Sequence, residues 1–550
     1  MKALRKIQAL LLAAAILASF SGCNGGGEED AASGAVSESV SSGESESAAI
    51  VNKTGLPIVE EKITMKGLVA QDIKVPDWNT HPAVLELENR TNIHIDWECV
   101  SQDGFAEKRN LIFASNTLPD LVMRAGLSVE QEVKYASANQ IIALDPYFEE
   151  YAPNFSKLME ENEAIHKSIV LPDGHVYSMP QLNTTEGNLI DKHWINKVWL
   201  ENLGLEMPET TEELYEVLKA FKDQDANGNG DPNDEIPFSS NKTYASDLIK
   251  PYYGAWGFGA NHGIFDRYLD VDDENNVRLI PLENNYKEIL AYLNRFWEED
   301  LLDHEVFSQK EAQVVAKITD NSVGYTAQTN QNQWMGARRN DFVAAPSLTG
   351  PYGDNSWVQV NPFVQTTGTF VITNVNPYPE ATMRWVDYFY SQEGMVLIRL
   401  GIEGKSYIVN DEGKYELLPE IQNPPDGLSM SQAHAKWALY FGGNVPQYAT
   451  DETDLSPAQL PEIKAATELL RPHLVPYDDI PRLKFTEEET ISLGRFAEDI
   501  RSFIDENSVK FITGERSLDE FDNFVEELKK MDIEEYLKVY QASFDRWLNA

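Results

Sequence analysis

The sequence predicts an α/β protein built as two interwoven lobes with a helical C-terminus. From about residue 60 onward, short apolar runs alternate with amphipathic helical patterns, as in βα units. No internal repeat and no long linker breaks this stretch. Toward the end the pattern turns helical: Ser517 and Glu520 read as a capping box, with Phe521, Phe524, Val525 and Leu528 behind it. At 550 residues the chain exceeds one ordinary domain, and 42% hydrophobic with 10% aromatic residues rules out wholesale disorder.

The N-terminus sets the location. Lys2, Arg5 and Lys6 precede an apolar run from about Ala9 to Phe20, and Ser21-Gly22-Cys23 follows. A basic region, a short hydrophobic region and a small-residue cleavage site predict a signal peptide at 1–22. Phe20-Ser21-Gly22-Cys23 resembles the lipobox of bacterial lipoproteins, with Phe20 where Leu is usual. That resemblance implies that Cys23 becomes the new N-terminus, carrying diacylglycerol and palmitate in the lipid bilayer. Residues 24–50 hold Gly25-Gly26-Gly27, seven serines and six acidic groups, with no Lys, Arg or aromatic residue. Such a composition forms no core, so 23–60 reads as the lipidated Cys and a flexible acidic tether. No later apolar run approaches the roughly 20 residues of a membrane helix. The body is expected at the extracellular face of the cell membrane, anchored by lipid.

Lys+Arg 45 against Asp+Glu 89 gives a formal charge of -44, which repels phosphate backbones and excludes general nucleic-acid binding. Two cysteines cannot build a disulfide scaffold. Pro82 to Asn92 predicts a helix leading into a strand at 93–99, where apolar and polar residues alternate. Cys99 shares the apolar face and reads as an inert core thiol. A second helix ending near Ala114 leads into the run at 118–122. Thr210 and Glu213 form a capping box before Leu214, Val217, Leu218 and Phe221. Pro379 to Tyr390 places Trp385, Val386 and Phe389 at helical spacing.

The sharpest local signal runs from Asp225 to Glu235. Oxygen side chains stand at Asp225, Asn227 and Asn229, and Gly228 and Gly230 allow tight turning. A hard cation such as Ca²⁺ takes six to eight oxygens from a flexible loop. Asp231 can add its backbone carbonyl, while Asp234 and Glu235 close the far side. An EF-hand needs Glu at its twelfth position, which here is Ile236, so this is a related loop. The alternative is a solvated Asn/Gly turn. A structural calcium ion is the favoured expectation.

Enzyme signatures fail. There is no G-x-S-x-G and no H-E-x-x-H, and the nine histidines show no ligand spacing. Arg399 stands where a phosphate loop ending at Gly404-Lys405-Ser406 needs its first glycine. No catalytic residue is indicated. Tryptophans in Gly-, Asn- or Pro-rich segments remain as candidate sugar contacts, because indole faces stack on pyranose rings. These are Trp78, Trp256, Trp334, Trp357 and Trp437, each with a core role as the alternative.

With these residues in hand, the chain resembles bacterial extracellular solute-binding proteins of the family 1 type. The likeness is to large LplA-like lipoproteins, near the alginate oligosaccharide-binding proteins. It is carried by Leu85–Ile93, Ala143–Tyr147, Tyr151–Asn154, Pro172–Tyr177, Trp199–Leu205, Asp225–Glu235, Tyr388–Gly394 and Phe511–Ser517. The resemblance implies a periplasmic-binding-protein-like fold that closes on an oligosaccharide and hands it to the permease of an ABC importer. It implies a monomer without catalysis, and no cleft residue carries over. By analogy the hinge passes Tyr177–Met179, Gly324–Tyr325 and Thr369–Asn374. Lobe 1 is then 61–178 and 326–390, and lobe 2 is 179–325 and 391–550. Trp357 becomes the first cleft candidate, lying between the second and third crossings. The calcium loop of the alginate binders matches at Asp225, Asn227, Asn229 and Asp231. One extra residue before the acidic pair leaves Asn233 as an alternative to Asp234. A sensor or peptide-binding protein, or a secreted carbohydrate-active enzyme, are the competing functions.

Overall fold

Apolar strand segments assemble two main sheets and two two-stranded ones, and each segment's neighbours in sequence explain its ends. The computed structural model describes residues 50–75, 77–242, 244–327, 335–424, 428–439, 443–455, 459–476 and 479–550. These belong to one compact unit that starts at Ala48. Cys23 and Trp334 lie outside the described residues. The described strands are, in chain order, β1 Ile63–Gln71, β2 Ile93–Ser101, β3 Leu121–Met123, β4 Met179–Asn183, β5 His193–Asn196, β6 Ile236–Phe238 and β7 Leu269–Val271. They continue with β8 Val277–Leu279, β9 Val323–Ala327, β10 Phe342–Ala344, β11 Val364–Ile372, β12 Tyr407–Val409, β13 Tyr415–Leu417 and β14 Gln447–Ala449.

The larger sheet has the order β14-β4-β11-β3-β1-β2. β1 runs parallel to β2 in register from Ile63↔Ile93 to Gln71↔Ser101, and parallel to β3. The helix Pro82–Thr91 feeds β2. Pro82 sits in its first turn, His81 Nδ1 accepts from the Ala83 amide at 3.2 Å, and Asn92 ends it at φ +61°. Gly67 in β1 is a close approach: a Cβ there would lie 2.5 Å from the Trp97 ring. That indole packs between Trp78 and Trp385, at 5.1 and 6.2 Å.

The smaller sheet has the order β10-β5-β9-β6. The helix Thr211–Asp223 beside it starts with the expected capping box of Thr210 and Glu213. The helices Asn284–Glu298, Ala497–Ile512, Phe521–Leu528 and Ile533–Asn549 bury their apolar faces in the same core as Ile195 and Tyr325. The expected box at Ser517 takes another form. Ser517 caps a 3₁₀ turn through the Asp519 amide, and the helix begins after Glu520. Among the described residues no helix is long and apolar enough to cross a membrane.

The fold is two-lobed, but the chain changes lobe at other places than expected. Segments 183–191 and 359–363 run side by side between the sheets. The amides of Asn183, Asp191 and Asn361 donate to the carbonyls of Phe363 (3.0 Å), Gln359 (3.0 Å) and Leu189 (2.7 Å). A third segment follows β14, where Thr184 N donates to Ala449 O at 2.9 Å and Asn188 Nδ2 to Asp454 Oδ2 at 2.8 Å. By contrast Met179 begins β4, Gly324–Tyr325 lies inside β9, and Thr369–Ile372 lies inside β11. Ladder bonds place those backbones inside the sheets rather than between them. The lobe boundaries move accordingly. β10 pairs with β5 and keeps 342–344 in the smaller sheet's lobe. Leu397, Ile398 and Val445 bury in the core of Trp385, which keeps 392–449 with the larger sheet.

Candidate ligand-binding cleft

In α/β sheets the carboxyl ends of parallel strands open onto loops, and ligands bind in the crevice they leave. On the larger sheet, β1 and β3 end at Gln71 and Met123 and lead into Asp72 and Arg124. On the smaller sheet, the parallel pair β6 and β9 ends at Phe238 and Ala327. β5 runs the other way, so His193, paired with Ala327, starts at this same end.

The larger-sheet wall is built on two left-handed residues. Arg124 has φ +54° and Asn444 φ +59°, a strained region for side chains other than glycine. Asn444 Nδ2 donates to Arg124 O at 3.0 Å, and Arg124 Nη1 donates to Ala70 O at 3.2 Å. Gln181 Nε2 donates to Gln365 Oε1 at 2.9 Å. Arg124 Nε, Asn444 Oδ1, Gln181 Oε1 and Gln447 Nε2 are buried and make no hydrogen bond. Desolvation lowers the Arg124 pKa from the usual guanidinium value.

His193 organises the smaller-sheet wall. Gln359 Nε2 lies 2.9 Å from its Nε2, and Tyr325 Oη is hydrogen-bonded to its Nδ1. An amide nitrogen only donates, so Nε2 accepts, and Nδ1 carries the proton toward Tyr325. Burial, with Lys242 nearby, drives the imidazole pKa down to about 3 and keeps the ring neutral. Lys242 and Lys250 line this end half-buried, and desolvation lowers both ammonium pKa values against the opposing fields of Asp191 and Asp247. Tyr252 Oη, Ser240 Oγ and Thr326 Oγ1 are buried without partners.

The expected tryptophans sit elsewhere. Trp78 is core against Trp97, and Trp256 is core against Tyr292 at 5.3 Å. Trp357 is 4% exposed, edge-on to His193 at 5.2 Å. Trp437 packs half-buried on a satellite core with Tyr407 and Leu417. Turn-forming neighbours did not expose these rings, because glycines let the loops dock tightly. A Cβ on Gly254 would lie 1.6 Å from Ser356 O, and one on Gly350 1.6 Å from Ala255 O. Arg124, Gln181, His193, Gln359 and Asn444 were missed. The readable sign was polar residues set at the ends of apolar strands, as Lys192-His193 precedes Trp194-Ile195.

The loop Asp225–Glu235 lies at the amino end of β6, away from the cleft end. Asp225 accepts from the Asn229 and Gly230 amides at 3.0 and 2.9 Å. Asp234 accepts from Asn227 Nδ2 and Asn229 Nδ2 at 2.9 and 2.7 Å. Asn229 Oδ1 accepts from the Asp231 amide at 2.8 Å. Asn233 Nδ2 instead donates to Asp231 Oδ1 at 2.9 Å, so Asp234 rather than Asn233 faces the paired asparagines. Gly228 and Gly230 supply φ +73° and +95°. Glu235 is 4% exposed, its Oε2 has no partner, and burial raises its pKa. A buried, unmet carboxylate oxygen beside Asp and Asn oxygens fits a hard cation. Among the described residues, no cluster of three or more His, Cys, Asp or Glu side chains is set to hold a metal. The donor set here is mixed with asparagine.

Known proteins share this architecture. The family model for bacterial extracellular solute-binding protein matches residues 79–396. The fructooligosaccharide ABC transporter substrate-binding protein FusA of Streptococcus pneumoniae is 30% identical over 507 residues, 89% of this chain and 91% of that one. Its structure with kestose matches at TM-score 0.69 and 28% identity, over 88% of this chain and 100% of that chain. An EF-hand mutant of FusA with fructo-nystose matches at 0.68 and 28% identity, with the same coverage. Lipoprotein LipO of Bacillus subtilis is 24% identical over 351 residues, 60% of this chain and 64% of that one. An HMO-binding, ABC-transporter-associated solute-binding protein of Bifidobacterium longum infantis shares the fold, at TM-score 0.73 and 20% identity over 88% and 99%.

Proposed function

The chain belongs to the bacterial extracellular solute-binding proteins, and on that premise we propose that it captures an oligosaccharide between its lobes and delivers it to the permease of an ABC importer. The observation that carries the reading is the set of buried polar atoms without partners on both walls, from Arg124 Nε, Gln181 Oε1 and Asn444 Oδ1 to Tyr252 Oη, Ser240 Oγ and Thr326 Oγ1. Each such group costs about 1–3 kcal/mol when left unmet. A polyhydroxylated ligand meets donors and acceptors alike. Only a closed form lets both walls touch it, with the paired crossings at 183–191 and 359–363 as the axis. The role is capture and release, without a chemical step.

Two further parts belong to this reading. Asp225, Asn227, Asn229, Asp231, Asp234 and Glu235 would hold a structural Ca²⁺, pinning the connection between the helix Thr211–Asp223 and β6. FusA's EF-hand mutant supports it by kinship. Cys23 would anchor the protein in the membrane by lipid, as the name of LipO supports for that relative.

Calorimetric titration of the full chain against a glycan panel, led by kestose, tests the function. One oligosaccharide class is expected to bind with 1:1 stoichiometry and to shrink the radius of gyration in X-ray scattering. Gln359→Ala is expected to weaken binding about tenfold, the scale of one lost hydrogen bond. No binding by any glycan, or turnover of the bound sugar, overturns the reading.

A further inference from the structure

Beside the crossing segment 359–363 lies a cavity of about 420 Å³ whose lining includes Lys250, Asn361, Thr367, Arg482 and Lys484. Lys484 is 8% exposed, and its ammonium makes one long contact, 3.4 Å to Thr367 Oγ1. Arg482 donates Nη2 to Gln365 O at 2.6 Å, and its Nε is buried without a partner. The Lys250 amide donates to Ser246 O, while its ammonium makes no hydrogen bond or ion pair among the described residues. Asp191 and Asp247 oppose the desolvation of Lys250, and Glu132 opposes that of Lys484, as fields only. Asp266 is taken by Arg501 Nη2 (2.9 Å) and Tyr540 Oη (2.8 Å). Glu132 accepts from Ser178 Oγ at 2.6 Å and acts on Lys484 through its field, with no hydrogen bond or ion pair between the two among the described residues.

The cations are held in place. The Lys484 carbonyl accepts from Ser543 Oγ (2.8 Å) and Arg546 Nη2 (2.9 Å), which fixes the backbone beneath its side chain. Burial pushes the Lys484 pKa down to about 8 against the opposing field of Glu132, and burial pushes that of Arg482 to about 10. A chain of charge -44 concentrates three such cations in one interlobe cavity.

We propose that this cavity is an oxyanion site in which Arg482, Lys484 and Lys250 hold a carboxylate-, sulfate- or phosphate-like group, so that the cleft takes an acidic oligosaccharide or a sugar bound together with a free anion. The inference rests on the oligosaccharide-binding reading and narrows its ligand class. Arg482 supplies a directed N–H and the two lysines supply charge. The cavity adjoins Val360 and Asn361 of the crossing, so an anion there touches both lobes.

Titrations of the full chain at low ionic strength with sodium sulfate, sodium phosphate, trigalacturonate and kestose test it. The expected result is saturable binding of at least one oxyanion probe, weakened tenfold or more in Arg482→Gln and in Lys484→Met. Trigalacturonate binding without sulfate or phosphate binding assigns the anion to the sugar. Binding of the inorganic probes alone assigns a free anion. The melting curve of each variant separates lost binding from lost folding, and Lys250→Gln, at a half-buried position, provides a milder variant. Kestose binding with no oxyanion binding overturns the site and leaves the oligosaccharide reading standing. No binding of any sugar overturns that reading instead. Oxyanion binding that survives all three substitutions but falls in Lys167→Gln, in the neighbouring cavity of about 440 Å³, also overturns the assignment.

Discussion

The indole N–H of Trp357 donates to the backbone carbonyl of Asp191 at 3.0 Å. This bond ties the returning crossing segment to the residue that opens the smaller-sheet wall. Trp357 therefore supports the cleft from beneath rather than stacking on a ligand. Trp357→Ala is expected to cost about 3–5 kcal/mol of folding stability by urea titration. Trp357→Phe should lose less, since it keeps most of the ring volume and drops the hydrogen bond. An unchanged unfolding midpoint in Trp357→Ala would return this residue to the ligand-contact role expected of it.

His193 makes stability depend on acid. Its folded pKa of about 3 lies below the unfolded value near 6.5. Between those values the unfolded chain binds the extra proton, so stability is full above pH 6.5 and falls as pH drops. The slope is at most about 1.4 kcal/mol per pH unit. Denaturant unfolding of wild type and His193→Gln from pH 7 to 4 should show a flatter dependence in the variant. Parallel profiles would mean that the folded and unfolded chains bind the imidazole proton equally.

Gly254 faces a carbonyl instead of a side chain. With Ser356 O 1.6 Å from any added Cβ, no rotamer relieves the clash. Gly254→Ala is expected to cost about 3 kcal/mol or more, visible as a lowered melting temperature. A neutral effect would show that the segment 350–357 shifts freely on its neighbour.

Calcium removal is expected to destabilise the protein. A ligand that binds only the folded state adds about 2.7 kcal/mol at a hundredfold excess over Kd. Chelation should lower the melting temperature of wild type and leave Asp225→Ala unmoved. Metal analysis finding no calcium, with no chelator effect, would leave the loop as a plain turn.

Cys23→Ser tests the anchor. The variant is expected to escape to the medium at full length or to remain as uncleaved precursor. Unchanged membrane retention with unchanged N-terminal processing would remove the lipoprotein assignment.

What the sequence disclosed follows the range of the interactions. The helix Pro82–Thr91 and β2 were legible because Pro82, Asn92 and the alternation after it act within one turn or one strand. The donors of the Asp225–Glu235 loop were legible because they lie within eleven residues of chain. The crossings were not, since Asn183 meets Phe363 and Thr184 meets Ala449 only after the sheets form. Nor was the cleft, where Asn444 reaches Arg124 across 320 positions. The misassigned tryptophans have the same cause. Trp256 and Trp357 are covered by distant elements, and local glycines record the tightness of that docking without showing its direction.

The braiding of the chain also governs how the molecule fails. The larger sheet takes β1 to β4 from the first third of the sequence and β11 and β14 from beyond residue 360. A truncation anywhere between leaves β3 and β4 with bare hydrogen-bonding edges, and it strips the smaller lobe of its final helices. No single continuous stretch of chain holds all the strands of the larger sheet without also spanning the smaller one. Unfolding that starts in one lobe also frees the backbone bonds between the crossings at 183–191 and 359–363. Damage in one lobe is therefore expected to reach the other through the crossings.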